Sequence, residues 1–180
     1  MSQDVRPGVR LALDWGDARI GVARCDPAGL LAFPYATLAA GSGEVAAVVR
    51  LVVEEQPLEV VLGLPRSLSG GEGPAAVRMR ERAAELAAAL AAAGQAVDVR
   101  LVDERLTTVT ASRQLREGGR SARRQRGVID AAAAATILEH ALALERARGT
   151  APGELVSAAD QAASRVAEDE LRPAQDGEQR

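Results

Sequence analysis

The chain has 180 residues, with 22 basic and 25 acidic side chains, one Cys and one His. That length suits one domain of about 150 residues plus a tail. The single Cys excludes a disulfide framework and a multi-Cys zinc site, the single His excludes a His-rich metal centre, and no apolar run approaches the roughly 18 residues of a membrane span.

The N-terminus shows no basic-then-apolar signal pattern, so the expected compartment is the cytoplasm. Residues 9–14 read as a strand that ends in an acid, with Gly16 breaking it. Residues 19–25 alternate as a second strand, and Asp26-Pro27-Ala28-Gly29 makes a turn. Residues 30–38 give a third strand, and Pro34 within it implies an edge or a bulge. Helical periodicity takes over at 43–55, with Pro57 just past the stop. The short apolar run 59–64 reads as a buried parallel strand. After a Gly/Ser-rich loop, 74–93 form a long helix with Met79, Ala83, Leu86, Leu90 and Ala93 on its apolar face. Gly94 stops it. Residues 97–102 are a further strand, followed by Asp103 and Glu104. Thr107 or Thr108 can cap a helix over roughly 108–117. An Arg-rich loop covers 118–126, and a last helix covers about 128–148.

The order β-β-β-α-β-α-β-α-α implies an α/β fold: a mixed five-stranded sheet with helices on its faces. The folded domain spans 1–149. Residues 150–180 carry seven acids against three Arg and read as a poorly packed, weakly helical tail. All 22 basic residues are Arg, and Ala occurs 38 times. That excess runs through every segment, so it reads as coding bias with little functional content.

Three acids occupy positions that stability alone does not favour. Asp14 and Glu104 stand at the carboxyl ends of strands, where α/β sheets bind ligands. Asp130 shares a helix face with Ala133, Ala134, Ile137, Ala141 and Leu144, the stripe meant for the core. An unpaired carboxylate there is costly. Asp130 therefore either caps a helix starting at Ala131 or faces a cleft holding a cation. If the three acids converge, oxygen-ligand ions such as Mg²⁺ or Mn²⁺ are the natural partners, and a pair of such ions supports phosphodiester cleavage.

Six Arg lie within 113–126 against Glu117 alone. This basic patch, directly before Asp130, suits phosphate contacts. With three aromatics in the chain, Trp15, Phe33 and Tyr35, backbone and shape recognition are expected rather than base reading. Trp15 is either a base stacker or packing. Asp17 is a candidate for an additional acid near the site. His140 reads as structural, and Cys25 as an ordinary reduced thiol.

The residues also carry a family pattern. Asp14-Trp15-Gly16-Asp17-Ala18-Arg19-Ile20-Gly21-Val22-Ala23 resembles the D-x-G-x-x-R-I-G-V-A opening of the YqgF/RuvX family. Gly63-Leu64-Pro65 with Gly70 and Gly73, Asp103 to Thr108, and Val128-Ile129-Asp130 resemble its later motifs, in the same order. The resemblance covers about 9–145 and not the tail. It implies an RNase H-like fold related to RuvC resolvases. It also implies a divalent-metal-dependent nuclease acting on pre-16S rRNA or, alternatively, on Holliday junctions. Carried over residue by residue, Asp14, Glu104 and Asp130 are the catalytic, metal-binding triad. Arg19, Arg105, Arg120, Arg123, Arg124 and Arg126 are the candidate nucleic-acid contacts. The expected partner is RNA or DNA, with no membrane, and the expected state is monomer or homodimer. A non-catalytic nucleic-acid-binding module and an actin-like ATPase are the competing classes. The intact triad argues against the first, and a chain with only one phosphate-loop half argues against the second.

Overall fold

The computed structural model describes residues 5–65, 72–103 and 123–156, without the side chains of 123–126 and 128. Its strands are β1 (Arg10–Trp15), β2 (Arg19–Cys25), β3 (Ala32–Ala39), β4 (Glu59–Leu64), β5 (Asp98–Asp103) and β6 (Glu154–Val156). Its helices are α1 (Glu44–Glu55), α2 (Pro74–Ala92) and α3 (Arg123–Arg148).

All six strands form one mixed sheet in the order β3-β2-β1-β4-β5-β6. The central strands β1, β4 and β5 run parallel, so their carboxyl ends share one edge. β2 and β3 continue the sheet antiparallel beyond β1, and β6 pairs antiparallel with β5. β1 and β4 are buried along their whole length. That burial explains why β4 reads as an apolar run rather than an alternating one. β3 is an outer strand, and its register slips where Ala23 pairs with Pro34 after Val22 has paired with Ala36. Pro34 has no N–H to give the ladder, so edge and bulge both follow.

Two cores flank the sheet. Leu11, Leu13, Trp15, Ile20 and Val22 face α1 and α2, packing with Val48, Val52, Met79, Leu86 and Leu90. Ala12, Ala23, Cys25, Val61 and Val102 face α3, packing with Ala134, Ile137, Leu138 and Leu142. Period-two alternation thus sends neighbouring residues of β1 to opposite layers. The predicted apolar face of α2 is buried at Met79, Ala83, Leu86 and Leu90, while Ala93 lies exposed beyond the last turn. Leu86→Ala would leave a cavity costing about 2–5 kcal/mol. On α3 the buried residues include Ala131, Ala133, Ala134, Ala135 and Ala141. Whatever the source of the Ala excess, these small side chains let α3 lie close on the sheet.

The structure corrects three expectations. The sheet has six strands rather than five. The sixth comes from the segment read as weakly helical tail, so the sheet continues past Gly149. Three residues are too few to display alternation, and the segment extends because β5 offers a free edge. Gly153 makes the approach possible, since it sits at φ +69° and a Cβ there would lie 2.2 Å from the Leu101 carbonyl oxygen. The last helix starts at Arg123 rather than near 128. Arg is a good helix former, and Gly127 is a poor stop signal because its place in the helix is set by packing. Asp130 consequently lies well inside α3 and does not cap a helix starting at Ala131. The helix expected over 108–117, and most of the expected Arg-rich loop, lie outside the described residues.

Candidate active site

Gly21 brings the two ends of the site together. It pairs with Asp14 across the β1–β2 ladder and with Thr37 across the β2–β3 ladder. Asp14 shares the face of Ala12, the face covered by α3. A Cβ on Gly21 would stand 2.0 Å from the backbone oxygen of Asp130. Only a residue without a side chain allows that approach. Beside it, the Thr37 hydroxyl donates to the Gly127 carbonyl at 2.9 Å. The row Thr37, Gly21, Asp14 therefore receives the early turns of α3, and Asp130 reaches the sheet one residue away from Asp14.

The two carboxylates differ in setting. Asp14 is only 5 % exposed. Asp130 keeps 19 % of its side chain accessible and faces Arg19, whose Nε lies 3.3 Å from Oδ2. Arg19 opens β2 at the edge where β1 closes. Its motif position makes a nucleic-acid contact the expectation, and here it faces a carboxylate. Asp103 ends β5 on the same edge of the parallel strands. Its charge also reaches His140: burial holds the imidazole below its usual pKa, and Asp103 opposes that shift. His140 is thus a half-buried, largely neutral side chain, in keeping with a structural role. Glu104, the next residue after β5, lies outside the described residues. So do Arg105 and Arg120 and the side chains of Arg123, Arg124 and Arg126. The backbone at 123, 124 and 126 is helical.

Trp15 is packing rather than a stacking platform. It is 1 % exposed, and its indole N–H donates to Glu44 at 3.0 Å. Asp17 points at Arg82, with Oδ1 3.3 Å from Nη2. Arg82 also donates to the Trp15 carbonyl and lies over the indole ring. Sequence reasoning missed Arg82, Glu44 and Thr37, which fasten the surroundings of the site. Each is a polar residue on a half-exposed face, and such residues carry no sequence signal. It also missed a buried ionic network at the opposite edge of the sheet. There Glu59 and Glu145 accept from Arg6 and Arg10, and Glu59 also pairs with Arg100 at 3.0 Å. A signal for this one did exist: Glu59 opens the run that reads as a buried strand.

Among the described residues, no three His, Cys, Asp or Glu side chains form a metal group. The Asp130 backbone rests on Gly21, the cross-strand partner of Asp14, so both aspartates belong to the same sheet face. Their chemistry suits Mg²⁺ or Mn²⁺ better than a soft metal.

A family model described as RuvX, Holliday junction resolvase, matches residues 8–144. A relative from Nocardioides sp. carrying the name "Putative pre-16S rRNA nuclease" is 55 % identical over 157 residues, covering 84 % of this chain and 98 % of its own. A relative of the same name from Streptomyces avermitilis is 56 % identical over 152 residues, covering 83 % and 95 %. Among solved structures, Thermus thermophilus RuvC in complex with a Holliday junction substrate aligns at a TM-score of 0.48 and 19 % identity, over 80 % of this chain and 98 % of that one.

Proposed function

The chain belongs to the RuvX family, and on that premise we propose that it is a divalent-metal-dependent nuclease that trims the 5′ end of pre-16S rRNA in the cytoplasm. It is a hydrolase of phosphodiester bonds. The observation that supports the metal reading is the Gly21 contact, which brings the Asp130 backbone against the cross-strand partner of the buried Asp14, near the edge where the parallel strands end. Ligands of α/β sheets bind beyond that edge.

Asp14 and Asp130 would hold Mg²⁺ or Mn²⁺, with Glu104 as the third carboxylate. When bound, such ions lower the pKa of a water and stabilise the leaving oxygen. The protein's own part is positional. β1 and β2 fix Asp14, and α3 carries Asp130 to it. Arg120, Arg123, Arg124 and Arg126 belong to the segment leading into Asp130, where guanidinium groups would grip the RNA backbone. Arg105 follows Glu104 and would do the same. These groups read phosphates and shape, so specificity rests on RNA structure rather than base sequence.

The test is cleavage, with Mg²⁺ or Mn²⁺, of a precursor rRNA fragment, single-stranded RNA, single-stranded DNA and a four-way junction. Cutting of the precursor fragment in preference to the junction is expected. Asp14→Asn, Glu104→Gln and Asp130→Asn should abolish cleavage while binding persists. Unchanged cleavage in these variants would refute the triad. Preferred, paired cutting of the junction by a homodimer would instead assign the protein to DNA recombination. Replacing the Arg of 120–126 with Ala should reduce the salt slope of RNA binding by about one for every phosphate no longer neutralised.

A further inference from the structure

Arg19 pairs with Asp130, one of the two described carboxylates of the site. We propose that Arg19 is a resident counter-ion of Asp130, displaced when a divalent cation loads and thereby released to grip a substrate phosphate. This inference rests on the metal reading above.

The argument is electrostatic. Asp14 is buried, Asp130 is mostly buried, and the Asp130 backbone rests on Gly21, the cross-strand partner of Asp14. A mostly buried carboxylate is stabilised by positive charge nearby, and Arg19 brings it to Asp130. A divalent cation held by Asp130 would supply that charge instead, repel the guanidinium and compete with it for the carboxylate oxygens. Arg19 has room to leave: about a quarter of its side chain is accessible, and its Nε–Oδ2 distance of 3.3 Å is a loose contact. It also lies at the sheet edge beyond which a backbone phosphate would rest. Metal loading and phosphate capture are then one coupled event. By contrast, the buried Arg10 is bound by two carboxylates and two backbone carbonyls and has no such freedom.

The experiment measures Mn²⁺ binding by calorimetry to the full chain, in wild type, Arg19→Gln, Arg19→Lys and Asp130→Asn. Arg19→Gln should bind Mn²⁺ about three- to tenfold more tightly, because the competitor is gone. Arg19→Lys, with a shorter reach, should tighten by about twofold, and it decides the matter if Arg19→Gln does not fold. At saturating Mn²⁺, the Arg19→Gln enzyme should show a KM for RNA raised severalfold, so metal and substrate affinities move in opposite directions. A purely structural Arg19 would weaken both. Unchanged or weaker Mn²⁺ binding in both Arg19 variants would overturn the proposal, as would an unchanged KM. If Asp130→Asn binds Mn²⁺ as well as wild type does, the metal reading itself falls, a result distinct from failure of the Arg19 inference alone.

Discussion

Strand β1 carries a buried cation at its first residue, Arg10, and a buried anion at its fifth, Asp14. Around Arg10 the charges are answered within the protein. Glu59 and Glu145 are almost fully buried and are bonded by Arg6 and Arg10, and Glu59 also meets Arg100. This network ties α3 to the starts of β1 and β4. Around Asp14 the balance is different. Asp130 arrives at the same sheet face, and one of its partners is the loosely held Arg19. Similar chemistry makes a clamp at one edge and the proposed site at the other. On the proposal above, what separates them is whether the cations are locked or exchangeable.

On this contrast, the largest effect on activity comes from the site edge. Asp14→Asn should lower cleavage at least about a hundredfold, the scale expected when a metal site is impaired. It should lower stability less than the loss of a buried ion-pair partner at the other edge. The largest effect on stability comes from the other edge. Glu59→Gln removes one of the two carboxylates that hold buried Arg10, as well as the partner of Arg6 and Arg100, and should cost about 3–5 kcal/mol in urea unfolding, with normal activity per folded molecule. A Glu59→Gln protein as stable as wild type would erase the distinction between clamp and site.

Gly21→Ala should fall between these and cross the boundary. Its added Cβ meets the Asp130 backbone, so α3 must lift. A stability loss of about 1–3 kcal/mol is expected together with weaker Mn²⁺ binding. Loss of stability with intact metal binding would show that the carboxylates meet by side-chain adjustment instead. The smallest effect is pH-dependent. Burial alone would raise the pKa of Glu145, but the bonds and charges of Arg6 and Arg10 outweigh it and hold the group below its usual 4.5. Its contribution is therefore complete above that value and is lost as pH falls through the lower folded pKa. Glu145→Gln should flatten the fall of stability between about pH 5 and 3, followed by denaturant melts.

The same contrast explains what is legible in the chain itself. β2 and β4 can be placed to the residue because alternation and a continuous apolar run are local signals. Asp14 and Asp130 stand out because each breaks such a signal. β6 does not, since three residues become a strand only beside β5. The start of α3 escapes a sequence reading because Gly127 is tolerated through its fit against Thr37, a partner ninety positions away in sequence. Arg19 reads as a nucleic-acid contact from its place in a motif, and its pairing with Asp130 depends on how α3 crosses β2. Local pattern shows which side chains are out of place, but long-range packing decides what they meet.

The two halves of the proposed ligand pair should come apart at different free energies. Asp14 lies on β1, which is paired on both sides by β2 and β4. Amides so placed exchange with solvent only through global opening. Asp130 lies in the third turn of a long helix, whose N-terminal part opens at lower free energy than a central strand. Fraying of that turn would separate the pair while the sheet stays folded. Hydrogen exchange should then find protection at 127–131 rising on Mn²⁺ addition, with β1 already slow and unchanged. The metal would act as a fastener for the helix start.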